Sequence, residues 1–141
     1  MSARTELQPA PWPGPPATAD ILADLELDIT PKPKGRPRAG HGRVYTPAET
    51  RAYEDRVGWL LRAAHVPCAD GELGVRAVFH LGSGAEPDVD NLAKALLDAG
   101  NGVLWRDDKQ VKQLLAEIAP GGPPRIRLTV YRLTPPEGRN R

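Results

Sequence analysis

The chain has 141 residues, of which 40% are hydrophobic and 26% charged, with a formal net charge of +1. That length supports one domain with a real core, and the overall charge alone points to no polyanion partner. Cys68 is the only cysteine, which excludes an intramolecular disulfide and a cysteine-based zinc site, and no apolar run reaches the roughly 20 residues of a membrane span.

Residues 1–23 are rich in Pro and Ala, a composition that cannot build a helix or a central strand, and form an expected flexible arm. They lack a basic region followed by an apolar one, so no signal peptide is expected. The domain is placed at residues 24–134, and residues 135–141 are expected to be a flexible tail. Leu25, Leu27 and Ile29 alternate with Asp24, Glu26, Asp28 and Thr30, the period of a half-buried strand. Residues 31–38 place Pro or Gly at nearly every second position and must be loop.

Residues 32–62 carry eight bases (Lys32, Lys34, Arg36, Arg38, Arg43, Arg51, Arg56, Arg62) against three acids (Glu49, Glu54, Asp55). Lys32, Lys34, Arg36, Arg38 and Arg43 on such a loop either follow a phosphate backbone or form a solvated basic surface. Thr46, Pro47 and Glu49 make a helix start, with an N-cap, a proline at the first helical position and a capping box. Tyr53, Val57, Leu60, Leu61 and Ala64 then recur at helical spacing, and the helix should stop near His65, ahead of Pro67. Leu73, Val75, Ala77, Phe79 and Leu81 predict a second strand. His80, which precedes the acidic motif, is read as structural or solvent-facing.

A second helix is predicted over residues 89–99, with Val89, Leu92, Ala93, Leu96 and Leu97 as its core stripe and residues 100–102 (Gly-Asn-Gly) as its stop. Strands are predicted near residues 112–119 and 125–133. The order βαβαββ implies an α+β fold, a small mixed sheet with two helices packed on it.

The second helix carries the chemistry. Asp90, Lys94 and Asp98 stack on one face, and Asp88 sits at the first turn, where the helix dipole favours carboxylates. Asp107 and Asp108 follow the helix. Acids at this density repel one another unless a divalent cation neutralises them, and hard oxygen ligands point to magnesium or manganese rather than zinc. Each group also has a plainer reading: a cap and an i,i+4 surface pair worth about 0.2–0.5 kcal/mol, and a polar turn. Asp98 opposes the dipole and is expected to have a structural partner such as a backbone amide or an arginine.

The string Asp88-x-Asp90-Asn91-x-x-Lys94-x-x-x-Asp98, then Asn101-Gly102, then Asp107-Asp108-x-Gln110-Val111, resembles the signature of the RusA family of Holliday junction resolvases. The upstream segments 33–38 and 42–47 resemble phage-type members, and the similarity covers about residues 25–133. The resemblance implies a RusA-like fold and a homodimer that binds four-way DNA junctions and nicks opposed strands with Mg²⁺, Mn²⁺ being possible. It implies metal ligands at Asp88, Asp90 and Asp108 and an essential Lys94, these four being the catalytic residues, and a role in DNA recombination and repair. A cytoplasmic location is expected, bacterial or that of a host if the gene is phage-borne. The alternatives are a branched-DNA-binding protein that does not cut and a less specific Mg²⁺-dependent nuclease. The Pro-rich arm departs from the compact members of the family, and the loop between Asp98 and Asp107 is about one residue shorter than in the founding member.

Overall fold

The computed structural model describes residues 20–34, 47–84 and 86–133. In chain order these form strand β1 (Asp20–Leu27), helix α1 (Pro47–Ala63), strand β2 (Leu73–His80), helix α2 (Val89–Gly100), a 3-10 turn (Asp108–Gln110), and strands β3 (Val111–Ala119) and β4 (Arg125–Arg132). The four strands make one mixed sheet in the order β1-β4-β2-β3. β4 lies antiparallel to both β1 and β2, whereas β2 and β3 are parallel. A parallel pair needs a crossover, and α2 supplies it. The expected α+β class and element order are those observed.

Alternation along the strands separates two faces of the sheet. Leu73, Val75, Ala77 and Phe79 of β2, with Ile126, Leu128 and Val130 of β4, join Ala23 and Leu27 in one buried cluster. Tyr53, Val57 and Leu61 of α1 and Leu92, Ala95, Leu96 and Ala99 of α2 complete that cluster, so both helices share the core with this face. Each fully buried Leu, Ile or Phe contributes about 1.5–3 kcal/mol. The opposite face is a ladder of surface ion pairs. Arg127 Nε donates to Asp24 at 3.0 Å, Arg125 Nε to Glu26 at 3.1 Å and Arg76 Nη2 to Glu117 at 3.1 Å. On that same face the Tyr131 ring lies over Gly74, where an added Cβ would stand 2.2 Å from the ring. The Tyr131 hydroxyl donates to Gln113 at 2.6 Å.

Both ends of β1 differ from expectation. β1 starts at Asp20 rather than Asp24, because a register shift between Ile21 and Ala23 interrupts the alternation that reveals a strand. β1 also ends at Leu27; Ile29 is buried beyond it, its amide donating to the Leu27 carbonyl. α1 ends at Ala63, close to the expected stop, and His65 closes it in the left-handed conformation (φ 59°), donating its amide to the Arg62 carbonyl. Val89 is 37% exposed, a correction to the predicted stripe: the first residue of α2 lies beyond the reach of the core. The predicted N-cap, Thr46, lies outside the described residues.

Candidate active site

The two ends of α2 present carboxylates differently. Asp88 occupies the N-cap position with extended backbone (φ −70°, ψ 137°) and makes no capping hydrogen bond through its side chain. Its carbonyl accepts the Leu92 amide, which starts the helix. Asp90 lies in the first turn, and its carboxylate accepts the Asn91 amide at 2.9 Å. Both residues are exposed at the positive end of the helix dipole.

One and two turns further on, side chains converge. Lys94 Nζ stands 3.4 Å from Asp98 Oδ1, and Lys34 Nζ stands 2.9 Å from Asp98 Oδ2. Lys34 also bonds Glu54 of α1 at 2.7 Å, so one ammonium joins both helices. The Lys34 amide donates to the Asn91 carbonyl, which fastens the chain after β1 onto α2. Asp108 lies within hydrogen-bonding reach of Asp98 and close to the charges of Lys94 and Asp107.

These contacts push the two neighbouring carboxyls in opposite directions. Burial opposes the Asp98 charge, but the hydrogen bonds and charges of Lys34 and Lys94 outweigh it and hold the group below the usual carboxylate range. Burial raises the Asp108 carboxyl above its usual range; Lys94 works against that rise, and Asp98 and Asp107 add to it. Burial also disfavours the Lys34 ammonium, yet its bonds to Glu54 and Asp98 raise its pKa. Adjacent acids driven apart in this way are a recurrent property of functional sites.

The segment that carries Asp108 is tied down at both ends. Trp105 is fully buried, and its ring packs where a Cβ on Gly100 would stand 2.6 Å away. Its indole N–H donates to Asn101 Oδ1 at 3.1 Å and to the Leu97 carbonyl at 3.3 Å. At the other end, the Asp107 side chain accepts the Lys109 amide at 2.9 Å and forms a capping box with Gln110. Asp107 is thus engaged in the turn, and Asp108 is the member of the acidic pair that faces Lys94 and Asp98.

The structure therefore brings Lys94 and Asp108 together and leaves Asp88 and Asp90 at the other end of the helix. Among the described residues, no three His, Cys, Asp or Glu side chains gather closely enough to hold a metal ion. Asp88 and Asp90 present exposed carboxylate oxygens, the donor type that hard cations take. Lys94 pairs with Asp98 rather than Asp90, and the partners of Asp98 are lysines rather than an amide or an arginine. Lys32 is exposed, whereas Lys34 is committed to two carboxylates. Arg36, Arg38 and Arg43 lie outside the described residues. His80 stands 3.4 Å from the Gly121 carbonyl, in keeping with a structural part. The sequence reading missed Trp105 and Gln110 as supports of the turn; Gln110 stands in the motif string without a role, and the one signal of Trp105 is its position before the acidic pair.

An acid-bearing helix with a lysine on its exposed face, on a small mixed sheet, falls within a class of DNA-cutting enzymes: the chain matches the family described as endodeoxyribonuclease RusA over residues 28–131. It belongs to the RusA family. No curated protein matches it.

Proposed function

We propose that this protein is a Mg²⁺-dependent, structure-selective endodeoxyribonuclease that resolves Holliday junctions by paired nicks in opposed strands during DNA recombination and repair. The observation that carries the reading is the family match together with Lys94 held beside Asp108 on the helix that also bears Asp88 and Asp90. Asp88, Asp90 and Asp108 would hold Mg²⁺, or Mn²⁺ in its place. When bound, the cation supplies activation of water and polarisation of the scissile phosphate.

The chain's own residues do the rest. The Lys94 side chain is 57% exposed, so its ammonium reaches a phosphate and stabilises the charge that develops there. Asp98 anchors that ammonium, and Lys34 keeps Asp98 ionised. The basic residues Lys32, Arg36, Arg38 and Arg43 bind backbone phosphates, and the products carry a 5′-phosphate and a 3′-hydroxyl. A homodimer matches the two-fold symmetry of a four-way junction. No helix among the described residues is long and apolar enough to cross a membrane; the proposed place of action is the cytoplasm, where the DNA is.

A synthetic mobile four-way junction, incubated with the protein with and without Mg²⁺, tests this reading. Symmetric nicks that need Mg²⁺ are expected, with linear duplex left intact. Binding without nicks would make the protein a branched-DNA binder, and equal cutting of linear duplex would make it a less specific nuclease.

A further inference from the structure

We infer that Gln110 is a positioning residue for Asp108: its amide locks the turn to the loop before β2, so that the Asp108 carboxylate faces Lys94 and Asp98. The inference rests on the proposed part of Asp108 in binding the cation.

A glutamine amide has two donor hydrogens and an oxygen with two lone pairs. In Gln110 all four are used. Nε2 donates to the Ala69 and Gly71 carbonyls, both at 3.0 Å. Oε1 accepts the Arg106 amide at 2.9 Å and the Asp107 amide at 3.2 Å. The environment also fixes which end is which. A flipped amide would set its NH₂ against two N–H groups and its oxygen against two carbonyls. One side chain thus fixes the backbone on both sides of Asp108 and ties it to residues 69–71.

Those residues are themselves anchored. The Ala69 amide donates to the Leu104 carbonyl at 2.8 Å, Arg132 Nη1 donates to the Asp70 carbonyl at 2.7 Å, and the Arg106 guanidinium pairs with the Asp70 carboxylate. The Asp108 side chain has Asp98 within hydrogen-bonding reach, and the turn that carries it sets that approach. Supporting groups of this kind around metal ligands typically change metal affinity or activity 10–100-fold when removed.

Gln110→Met keeps the size of the side chain and removes all four bonds. The measurement is single-turnover junction cleavage across a Mg²⁺ titration, with thermal melting of the same samples. The Mg²⁺ midpoint is expected to rise roughly 10–100-fold. Gly74→Ala, on the far face of the sheet, serves as the destabilised control; it should lower the melting temperature and leave the midpoint in place. Gln110→Glu, which retains both acceptor contacts but neither donor, replaces Gln110→Met if that variant does not fold, and a smaller shift in the same direction is expected. An unshifted midpoint in the folded variant, with wild-type cleavage still Mg²⁺-dependent, overturns the inference alone. A wild type that makes no Mg²⁺-dependent nicks overturns the functional reading and the inference with it.

Discussion

The two ends of α2 carry the same chemical group in opposite states of preparation. At the N-terminal end, Asp88 and Asp90 are exposed and held by little more than the backbone. At the C-terminal end, Asp98 is 18% exposed in its side chain, bound by two lysines and faced by Asp108. The difference separates two tasks. The C-terminal cluster is a finished electrostatic unit that sets the position of Lys94, and the N-terminal acids are free to turn toward whatever approaches. Removing an N-terminal acid should therefore damage chemistry without damaging the fold, and removing Asp98 should damage the fold.

The largest expected effect comes from the exposed end. Asp90→Asn should lower the single-turnover cleavage rate by roughly 10³-fold or more, the scale of a lost metal ligand worth several kcal/mol. Junction binding in a gel-shift assay should be kept, since it depends on the bases. Cleavage at the wild-type rate would remove Asp90 from the site.

Lys94→Met comes next, with a rate loss of roughly 10²–10³ and a melting temperature close to wild type. A lysine that served only as a helix surface pair would leave the rate alone and cost a few tenths of a kcal/mol. Single-turnover kinetics with thermal melting separates these outcomes.

Asp98→Asn should cost about 1–3 kcal/mol of stability near pH 7, because Lys34 loses a charged partner between the two helices. Its pH dependence has a definite sign. The folded carboxyl lies below its usual range, so its contribution is fully present above the unfolded value near 3.8 and fades as pH falls through the lower folded value. Urea unfolding of wild type and Asp98→Asn should therefore converge in acid; a gap that stays constant down to pH 2 would contradict the assignment.

The smallest effect sharpens the reading of the basic segment. Because Lys34 is spent on Glu54 and Asp98, Lys34→Ala should leave the salt dependence of junction binding near wild type. Neutralising Arg36 and Arg38 should reduce the slope of log K against log[salt] by up to about 0.9 per lost phosphate contact. A slope reduced as much by Lys34→Ala as by neutralising Arg36 or Arg38 would place Lys34 among the phosphate contacts.

Much of this architecture is legible in the sequence, and what is hidden has physical causes. Leu92, Ala93 and Leu96 are buried where helical periodicity puts them, and β2 and β4 follow their alternation. The start of β1 is obscured by its bulge. Val103, Leu104 and Trp105 are buried without any regular period, so the connection after α2 reads as a plain loop although Trp105 is among the largest buried side chains. The Asp88–Asp90–Lys94–Asp108 set is visible as a motif, but the partners of Asp98 are not. Lys34 and Asp98 lie far apart in the chain, and they meet because the segment after β1 is fastened onto α2 through the Lys34 amide and the Asn91 carbonyl.

The most direct test of the central proposal, that Asp88 and Asp90 at the start of α2 and Asp108 in the turn after it serve one cation, is a Mn²⁺ titration of the DNA-free protein followed by water-proton relaxation. Wild type should show saturable binding, and Asp90→Asn and Asp108→Asn, both folded, should each weaken it at least about tenfold. Binding weakened by Asp108→Asn and untouched by Asp90→Asn would mean that the start of α2 and the turn after it do not share a site.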